Sequence, residues 1–71
     1  MRMKLSFGEK IKNLREDRDL NQTQVGQAVC ISQRKMSHLE RGECEPSIDD
    51  IVALCKFFGV SADYLLGMDD E

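Results

Sequence analysis

The stretch that most constrains the fold is the middle of the chain, residues 22–41, because it contains two apolar patterns of helical spacing. The first pattern predicts an inward-facing stripe of three side chains: Val25, Ala28 and Val29. The second begins shortly after the first and consists of Met36 and Leu39. The residues between the two patterns are too few for a long connection. We therefore expect two short helices packed against each other across a sharp turn.

The outward face of the second of these helices is polar and rich in hydrogen-bond donors. It consists of Gln33, Arg34, Ser37, His38 and Arg41. A helix with such a face, held across a tight turn by a partner helix, is typical of a helix-turn-helix that reads the DNA major groove. The alternative is a solvated polar face that binds nothing. The paired helices favour the DNA interpretation.

Side chains that can accept hydrogen bonds from free backbone amides predict where five helices begin. These capping residues are Ser6, Asn21, Ser32, Ser47 and Ser61. Asp19, in a left-handed conformation, is predicted to follow a first helix over 7–18, and three later helices are predicted to end at glycines. Those glycines are Gly42, Gly59 and Gly67. No segment alternates as a half-buried strand does, so the fold is predicted to be all-α.

The apolar residues of the other helices predict a core and a candidate subunit interface. The first helix has its stripe at Phe7, Ile11 and Leu14. The fourth has a broad apolar face of Ile48, Ile51, Val52, Leu54, Cys55 and Phe58. Phe57 falls outside this face, and an exposed Phe57 with Tyr64 and Leu66 would indicate a dimer interface. The alternative is a core large enough to enclose all three.

The length and the charge distribution limit what the chain can be. Seventy-one residues predict a single domain, with an ordered core over 6–67 and frayed ends, the last of them acidic. Residues 1–41 carry nine Lys and Arg against five Asp and Glu, whereas residues 42–71 carry one against eight. The net charge is thus +4 in the first part and −7 in the second, which favours DNA binding at one face only.

Several classes of protein are excluded by what the sequence lacks. The cysteines Cys30, Cys44 and Cys55 form no C-x-x-C pair, and one histidine is present, so we expect no metal site and no cofactor. Cys30 and Cys55 are predicted to be small core residues, and Cys44 the exposed one. No catalytic arrangement is recognisable, and no apolar run is long enough for a membrane span. We expect a soluble cytoplasmic protein that is not an enzyme.

Residues 7–67 resemble the Cro and phage-repressor type of helix-turn-helix domain, the xenobiotic-response-element family of bacterial regulators. The resemblance is carried, in order, by FGEKIKNLR, NQTQVGQAV, ISQRKMSHLERG, EPSIDDIVALCKFFGV and SADYLLG. It implies a compact five-helix, lambda-repressor-like DNA-binding domain. It also implies a homodimer on a near-palindromic operator in double-stranded DNA, with the third helix in the major groove and a role as a transcriptional repressor.

The resemblance also assigns roles to individual positions. Base-reading positions fall on Gln33, Arg34, Ser37 and His38. Phosphate-contacting positions fall on Asn21, Gln22 and Thr23, and we expect Lys35 and Arg41 to contact phosphate as well. Arg15 and Glu40 occupy the positions of an ion pair between the first and third helices.

Three departures from the family pattern bear on packing and on affinity. Gly26 stands where alanine is common, which allows close helix contact but weakens helix propensity by roughly 1 kcal/mol. Cys30 stands in the turn where glycine is common, so a non-glycine residue must hold a positive φ. The loop after the third helix, often basic, is Glu43-Cys44-Glu45, which is expected to weaken its contacts with phosphate.

Two alternatives to a simple repressor fit the same sequence. One is an antitoxin or restriction-controller protein, which would use the same DNA-binding dimer and also serve a partner or regulate its own gene. The other is a protein-interaction module in which the third helix contacts protein, with no DNA binding. Phosphate contacts give a steep salt dependence, so binding to random duplex DNA at low salt distinguishes the second alternative.

Overall fold

A computed structural model describes residues 6–67 of the chain, and these residues form five helices and no strand. The helices are α1 (Phe7–Asp17), α2 (Gln22–Val29), α3 (Gln33–Arg41), α4 (Ile48–Phe58) and α5 (Ala62–Leu66). The all-α, five-helix prediction is confirmed. The frayed ends predicted before residue 6 and after residue 67 lie outside the described residues.

All five helices begin where the sequence predicts, because a capping side chain accepts a hydrogen bond from the amide three residues later. In α1, α2 and α4 the bond is reciprocal and forms a capping box. Glycines in the left-handed conformation end α3, α4 and α5. Helix α1 ends one residue earlier than predicted, at Asp17, and Asp19 takes the expected positive φ of 57°.

The core lies between α3 and the helices around it. Helix α3 packs against α1 and α2, and α4 packs against α2 and α5. The buried apolar residues are Ile11, Val25, Val29, Ile31, Met36, Leu39, Leu54, Phe58 and Leu65. Phe7, Leu14 and Leu20 close the edges of this cluster. Because α3 is surrounded on its inner side, its outer face is held in a fixed orientation.

Two glycines allow α3 and its turn to approach neighbouring helices closely. A Cβ atom at Gly26 would lie 2.3 Å from the carbonyl oxygen of Ile31, which explains why this position of α2 lacks a side chain. A Cβ atom at Gly8 of α1 would lie 2.3 Å from the carbonyl oxygen of Leu39. The close contact expected at Gly26 is confirmed, whereas the role of Gly8 was not predicted.

Two expectations for α2 and the following turn are wrong. The buried side of α2 runs through Val25, Gly26 and Val29, and Ala28 is therefore exposed instead of inward-facing. Cys30 is also exposed and is not a core residue. As the C-cap of α2 it has a φ of 61°, so the expected positive φ is confirmed.

The broad apolar face predicted for α4 is only partly buried. Leu54 and Phe58 lie in the core, whereas Ile48 and Val52 are 79% and 44% exposed. The buried side of α4 passes through Asp50, Leu54 and Phe58, and no described element covers the side that carries Ile48. Spacing alone thus overstated the width of the inward face. The two exposed side chains enlarge the apolar surface of the domain.

Candidate nucleic-acid interface

The turn between α2 and α3 is fixed by backbone geometry and by one buried side chain. Cys30 holds the left-handed conformation, and the amide of Ile31 donates to the carbonyl oxygen of Gly26 at 2.8 Å. Ile31 is 7% exposed and anchors the turn in the core. Ser32 then caps α3 by accepting from the amide of Lys35 at 3.1 Å. These contacts fix the angle between the two helices.

The two sides of α3 differ sharply in burial. Met36 and Leu39 are 0% and 1% exposed, so the inner side is part of the core. On the outer side Gln33, Arg34 and Arg41 are exposed, and Ser37 and His38 are half-buried. The five polar residues predicted for the outer face are therefore all at least partly accessible to solvent.

A bidentate ion pair joins α1 to the buried side of α3. Arg15 Nε donates to Glu40 Oε2 at 2.7 Å, and Arg15 Nη2 donates to Glu40 Oε1 at 3.0 Å. Arg15 Nη1 also donates to the carbonyl oxygen of Leu20 at 2.9 Å. The Glu40 side chain is 4% exposed, and its hydrogen bond raises the pKa of Arg15 against the opposing effect of burial. The pair is structural and fixes α3 relative to α1.

Hydrogen bonds extend from this ion pair to the first residue of α3. Gln22 Nε2 donates to Glu40 Oε1 at 3.0 Å, and Gln33 Nε2 donates to Gln22 Oε1 at 2.7 Å. Gln22, predicted as a phosphate contact, is thus also the support of a predicted base-reading residue. One amide hydrogen of Gln22 remains for another acceptor.

Lys35, predicted as a phosphate contact, is engaged by α4. Its Nζ lies 2.7 Å from Asp50 Oδ2, and Asp50 also accepts from the backbone amide of Ser47 at 3.1 Å. The hydrogen bond to Asp50 is the main cause that raises the pKa of Lys35. The contact joins α3 to the start of α4 and pairs the positive charge of the lysine with a carboxylate.

A loop carboxylate contacts two side chains near the C-terminal end of α3. Glu43 Oε1 lies 2.7 Å from His38 Nδ1 and 3.1 Å from Arg41 Nη2. The hydrogen bond with His38 is the main cause that lowers the pKa of Glu43. Sequence reasoning singled out Glu43 as an acidic departure from the family pattern, but it did not predict either contact.

The start of α2 is partly occupied by its own cap. Asn21 Oδ1 accepts from the amide of Gln24 at 2.7 Å, and the amide of Asn21 donates to Gln24 Oε1 at 2.8 Å. Thr23 is exposed beside this cap.

On α3, Arg34 is exposed and forms no ion pair with any residue between 6 and 67. Arg34 is therefore available to a ligand.

The residues predicted for a dimer interface lie partly in solvent. Phe57, Tyr64 and Leu66 are 38%, 36% and 47% exposed. Lys10 packs beneath Tyr64: its Nζ donates to the Tyr64 carbonyl oxygen at 2.6 Å and lies 4.7 Å from the ring centroid. Lys10 is 3% exposed, a burial that was not predicted because lysine in a helix usually faces solvent.

No cluster of His, Cys, Asp and Glu between residues 6 and 67 could hold a metal ion. In the same range no helix is long and apolar enough to cross a membrane.

Known proteins resemble this chain over most of its length. The family model described as "Helix-turn-helix domain" matches residues 6–66. The HTH-type transcriptional regulator ImmR of Bacillus subtilis (strain 168) is 30% identical over 66 residues, which cover 93% of this chain and 52% of ImmR. Repressor protein C2 of Salmonella phage P22 is 37% identical over 60 residues, which cover 84% of this chain and 28% of the repressor. The chain thus spans about half or less of the length of these curated relatives.

A solved structure extends the similarity to three dimensions. The crystal structure of the P22 c2 repressor in complex with synthetic operator 9T superposes with a TM-score of 0.87 at 35% sequence identity. The match covers 93% of this chain and all of the crystallised one. The chain belongs to the helix-turn-helix domain family, and within it to the Cro and phage-repressor type.

Proposed function

We propose that this chain binds double-stranded DNA sequence-specifically through α3 and regulates transcription as a repressor. The observation that carries the proposal is the donor-rich outer face of α3, held rigidly by a buried inner face. A structural relative at a TM-score of 0.87 was crystallised with an operator, which supports the same use of this face.

The base-reading roles are proposed from side-chain chemistry and position. Arg34, exposed near the start of α3, can donate in bidentate fashion to O6 and N7 of guanine. Gln33 can pair with N6 and N7 of adenine, with its amide oriented by Gln22. Ser37 and His38 lie one turn farther along the same face. Each bidentate pair contributes about 1–3 kcal/mol of discrimination between bases.

The start of α2 is the proposed phosphate site. Backbone amides at a helix N-terminus favour an anion, and Asn21, Gln22 and Thr23 supply the side chains there. Arg41 can add a contact if phosphate displaces Glu43 from it. Lys35 is the weaker candidate, because binding phosphate would require breaking its 2.7 Å contact with Asp50.

We also propose that the chain acts as a homodimer. Helices α4 and α5 expose five large apolar side chains, and exposed apolar surface of this kind is typical of a subunit interface. These side chains are Ile48, Val52, Phe57, Tyr64 and Leu66. A two-fold dimer that buried part of this surface would place two copies of α3 about 34 Å apart, one turn of DNA. The proposed operator is accordingly a near-palindrome.

Selection of bound duplexes from a random pool tests the proposal. We expect enrichment of a near-palindromic sequence with half-sites about 10 base pairs apart, and binding that weakens steeply with salt. If the chain bound no duplex even at low salt, DNA binding would be ruled out and a protein-interaction module favoured. Enrichment of a single half-site would retain DNA binding but contradict the dimer.

A further inference from the structure

His38 and Glu43 are joined by two contacts, one through side chains and one through the backbone. Glu43 Oε1 lies 2.7 Å from His38 Nδ1, and the Glu43 amide donates to the His38 carbonyl oxygen at 2.9 Å. Gly42, with a φ of 74°, reverses the chain after α3 and makes both contacts possible. Arg41 Nη2 binds the same carboxylate oxygen at 3.1 Å. The carboxylate is therefore held by two side chains, and the backbone of Glu43 is held by a third contact.

This geometry determines which imidazole nitrogen carries the proton. An ionised carboxylate only accepts hydrogen bonds, and the pKa of Glu43 is lowered by its partners. The 2.7 Å contact is thus a hydrogen bond that His38 Nδ1 donates. In a neutral ring with the proton on Nδ1, Nε2 has a free lone pair and can only accept. Within residues 6–67 no hydrogen bond involves Nε2.

We propose that Glu43 is a specificity-determining positioning residue that fixes His38 as the Nδ1–H tautomer. The neutral ring then presents Nε2 as an acceptor to an exocyclic amino group in the major groove. Adenine N6 and cytosine N4 are the donors of this kind there, whereas guanine and thymine present acceptors. The functional half of the inference, the base preference, rests on the proposed DNA binding. The chemical half, the tautomer, rests on the Glu43–His38 geometry alone.

The alternative tautomer would recognise acceptors instead of donors. A ring with its proton on Nε2 would donate to O6 or N7 of guanine, to O4 of thymine or to N7 of adenine, but would find no acceptor on cytosine. Glu43 lies outside α3 and can fix the tautomer of His38 without touching DNA. Glu45, in the same loop and also exposed, forms no hydrogen bond or ion pair within residues 6–67 and serves as the matched control.

The tautomer can be measured without DNA. Because the chain contains one histidine, long-range proton–nitrogen NMR spectra of the imidazole report on His38 alone. In wild type, at a pH where the ring is neutral, we expect an N–H signal from Nδ1 and an unprotonated Nε2. Glu43→Ala should shift the population toward Nε2–H, and Glu45→Ala should not. A wild-type ring protonated on Nε2, or an unchanged ring in Glu43→Ala, would overturn the assignment.

The functional half is tested with duplexes that vary at the base pair contacted by His38. On the strand that His38 faces, we expect wild type to prefer an amino-bearing base, adenine or cytosine, over guanine or thymine by about fivefold. This is the contribution of one hydrogen bond. Glu43→Ala should abolish that preference, whereas Glu45→Ala should raise affinity for all duplexes and retain it. Equal base preference in wild type and Glu43→Ala would contradict the role of Glu43. If wild type bound no duplex, the proposed function and the base-reading role would both fail, while the NMR result would still decide the tautomer.

Discussion

The residues that fix α3 are polar groups buried with complete hydrogen bonding. Arg15 and Glu40 lie between α1 and α3, where an unpaired charge would be costly, but each side-chain nitrogen of Arg15 and each carboxylate oxygen of Glu40 has a hydrogen-bond partner. Within residues 6–67 no buried side-chain nitrogen or oxygen is left without a hydrogen bond. The pair therefore orients α3, and its value lies in geometry more than in net stability.

Glu40→Ala should destabilise the domain strongly, because it leaves the Arg15 charge partly buried and unpaired. We expect a loss of about 3–5 kcal/mol in the free energy of unfolding, measured by urea denaturation. The double variant Arg15→Met/Glu40→Leu removes both charges and should lose less than Glu40→Ala alone. A double variant as unstable as the single one would show that the charge itself is not the cause.

Cys30→Gly should stabilise the domain, since Cys30 is a non-glycine residue with a φ of 61°. The left-handed conformation costs an L-residue about 1–2 kcal/mol, and the added flexibility of glycine in the unfolded chain offsets roughly half of this. We expect a net gain of up to about 1 kcal/mol in thermal or chemical unfolding. Cys44→Gly, at a position without a positive φ, is the control and should not stabilise the domain.

At the scale of the helices, α3 is held from three directions. Gly8 of α1 and Gly26 of α2 permit close backbone contact, and Lys35 of α3 binds Asp50 of α4. Asp50 also completes the capping box of α4 with Ser47. One carboxylate thus caps one helix and fixes a second.

Asp50 should make stability depend on acid pH. Desolvation alone would raise its pKa, but hydrogen bonds from Lys35 and Ser47 outweigh it, so the pKa lies below the ordinary value of 3.8. The unfolded chain then binds the proton at a higher pH than the native one. The contribution of Asp50 is complete above pH 3.8 and is lost as the pH falls through the native pKa.

The measurement compares unfolding free energies between pH 7 and pH 2. Asp50→Asn should lower stability at neutral pH and reduce its decline in acid, because the variant has no carboxyl to protonate. Asp49→Asn, at a neighbouring exposed residue of α4, should retain the wild-type decline. An acid decline in Asp50→Asn as steep as in wild type would contradict the role of the Lys35–Asp50 contact.

The sequence predicted the helices well because their ends depend on local signals. A cap such as Ser47 with Asp50 acts within one turn, so it can be read without knowledge of the fold. The exposure of Ile48 could not be predicted in this way, since helical spacing does not show which side a neighbour covers. The contact of His38 with Glu43 likewise depends on the reversal at Gly42 and on rotamers that no spacing specifies.

At the scale of the whole molecule, polar and apolar functions occupy different surfaces. The outer face of α3 is polar, whereas exposed apolar side chains collect on α4 and α5, including Ile48 and Leu66. The net charge of −3 conceals a basic first part of the chain, which contains α1 to α3. This separation suits a dimer that joins through one surface and binds DNA through another.

Phe57→Glu should convert the proposed dimer to a monomer, because it places a charge in an apolar interface. We expect a halved mass in sedimentation equilibrium and weaker binding to a two-half-site duplex, with an unchanged helical spectrum. Gln27→Glu adds the same charge at an exposed polar site of α2 and should remain dimeric. A monomeric wild type, or a dimer unaffected by Phe57→Glu, would rule out this interface.

The most direct test of the account is the binding of Arg34→Ala to the selected duplex and to versions altered at single base pairs. If α3 reads bases, the variant should lose about 1–3 kcal/mol on the selected duplex and lose its discrimination at one base pair only. Preferences at the other positions should be retained. A uniform loss on every duplex would show that Arg34 contacts phosphate, and no loss on any duplex would contradict the placement of α3 in the major groove.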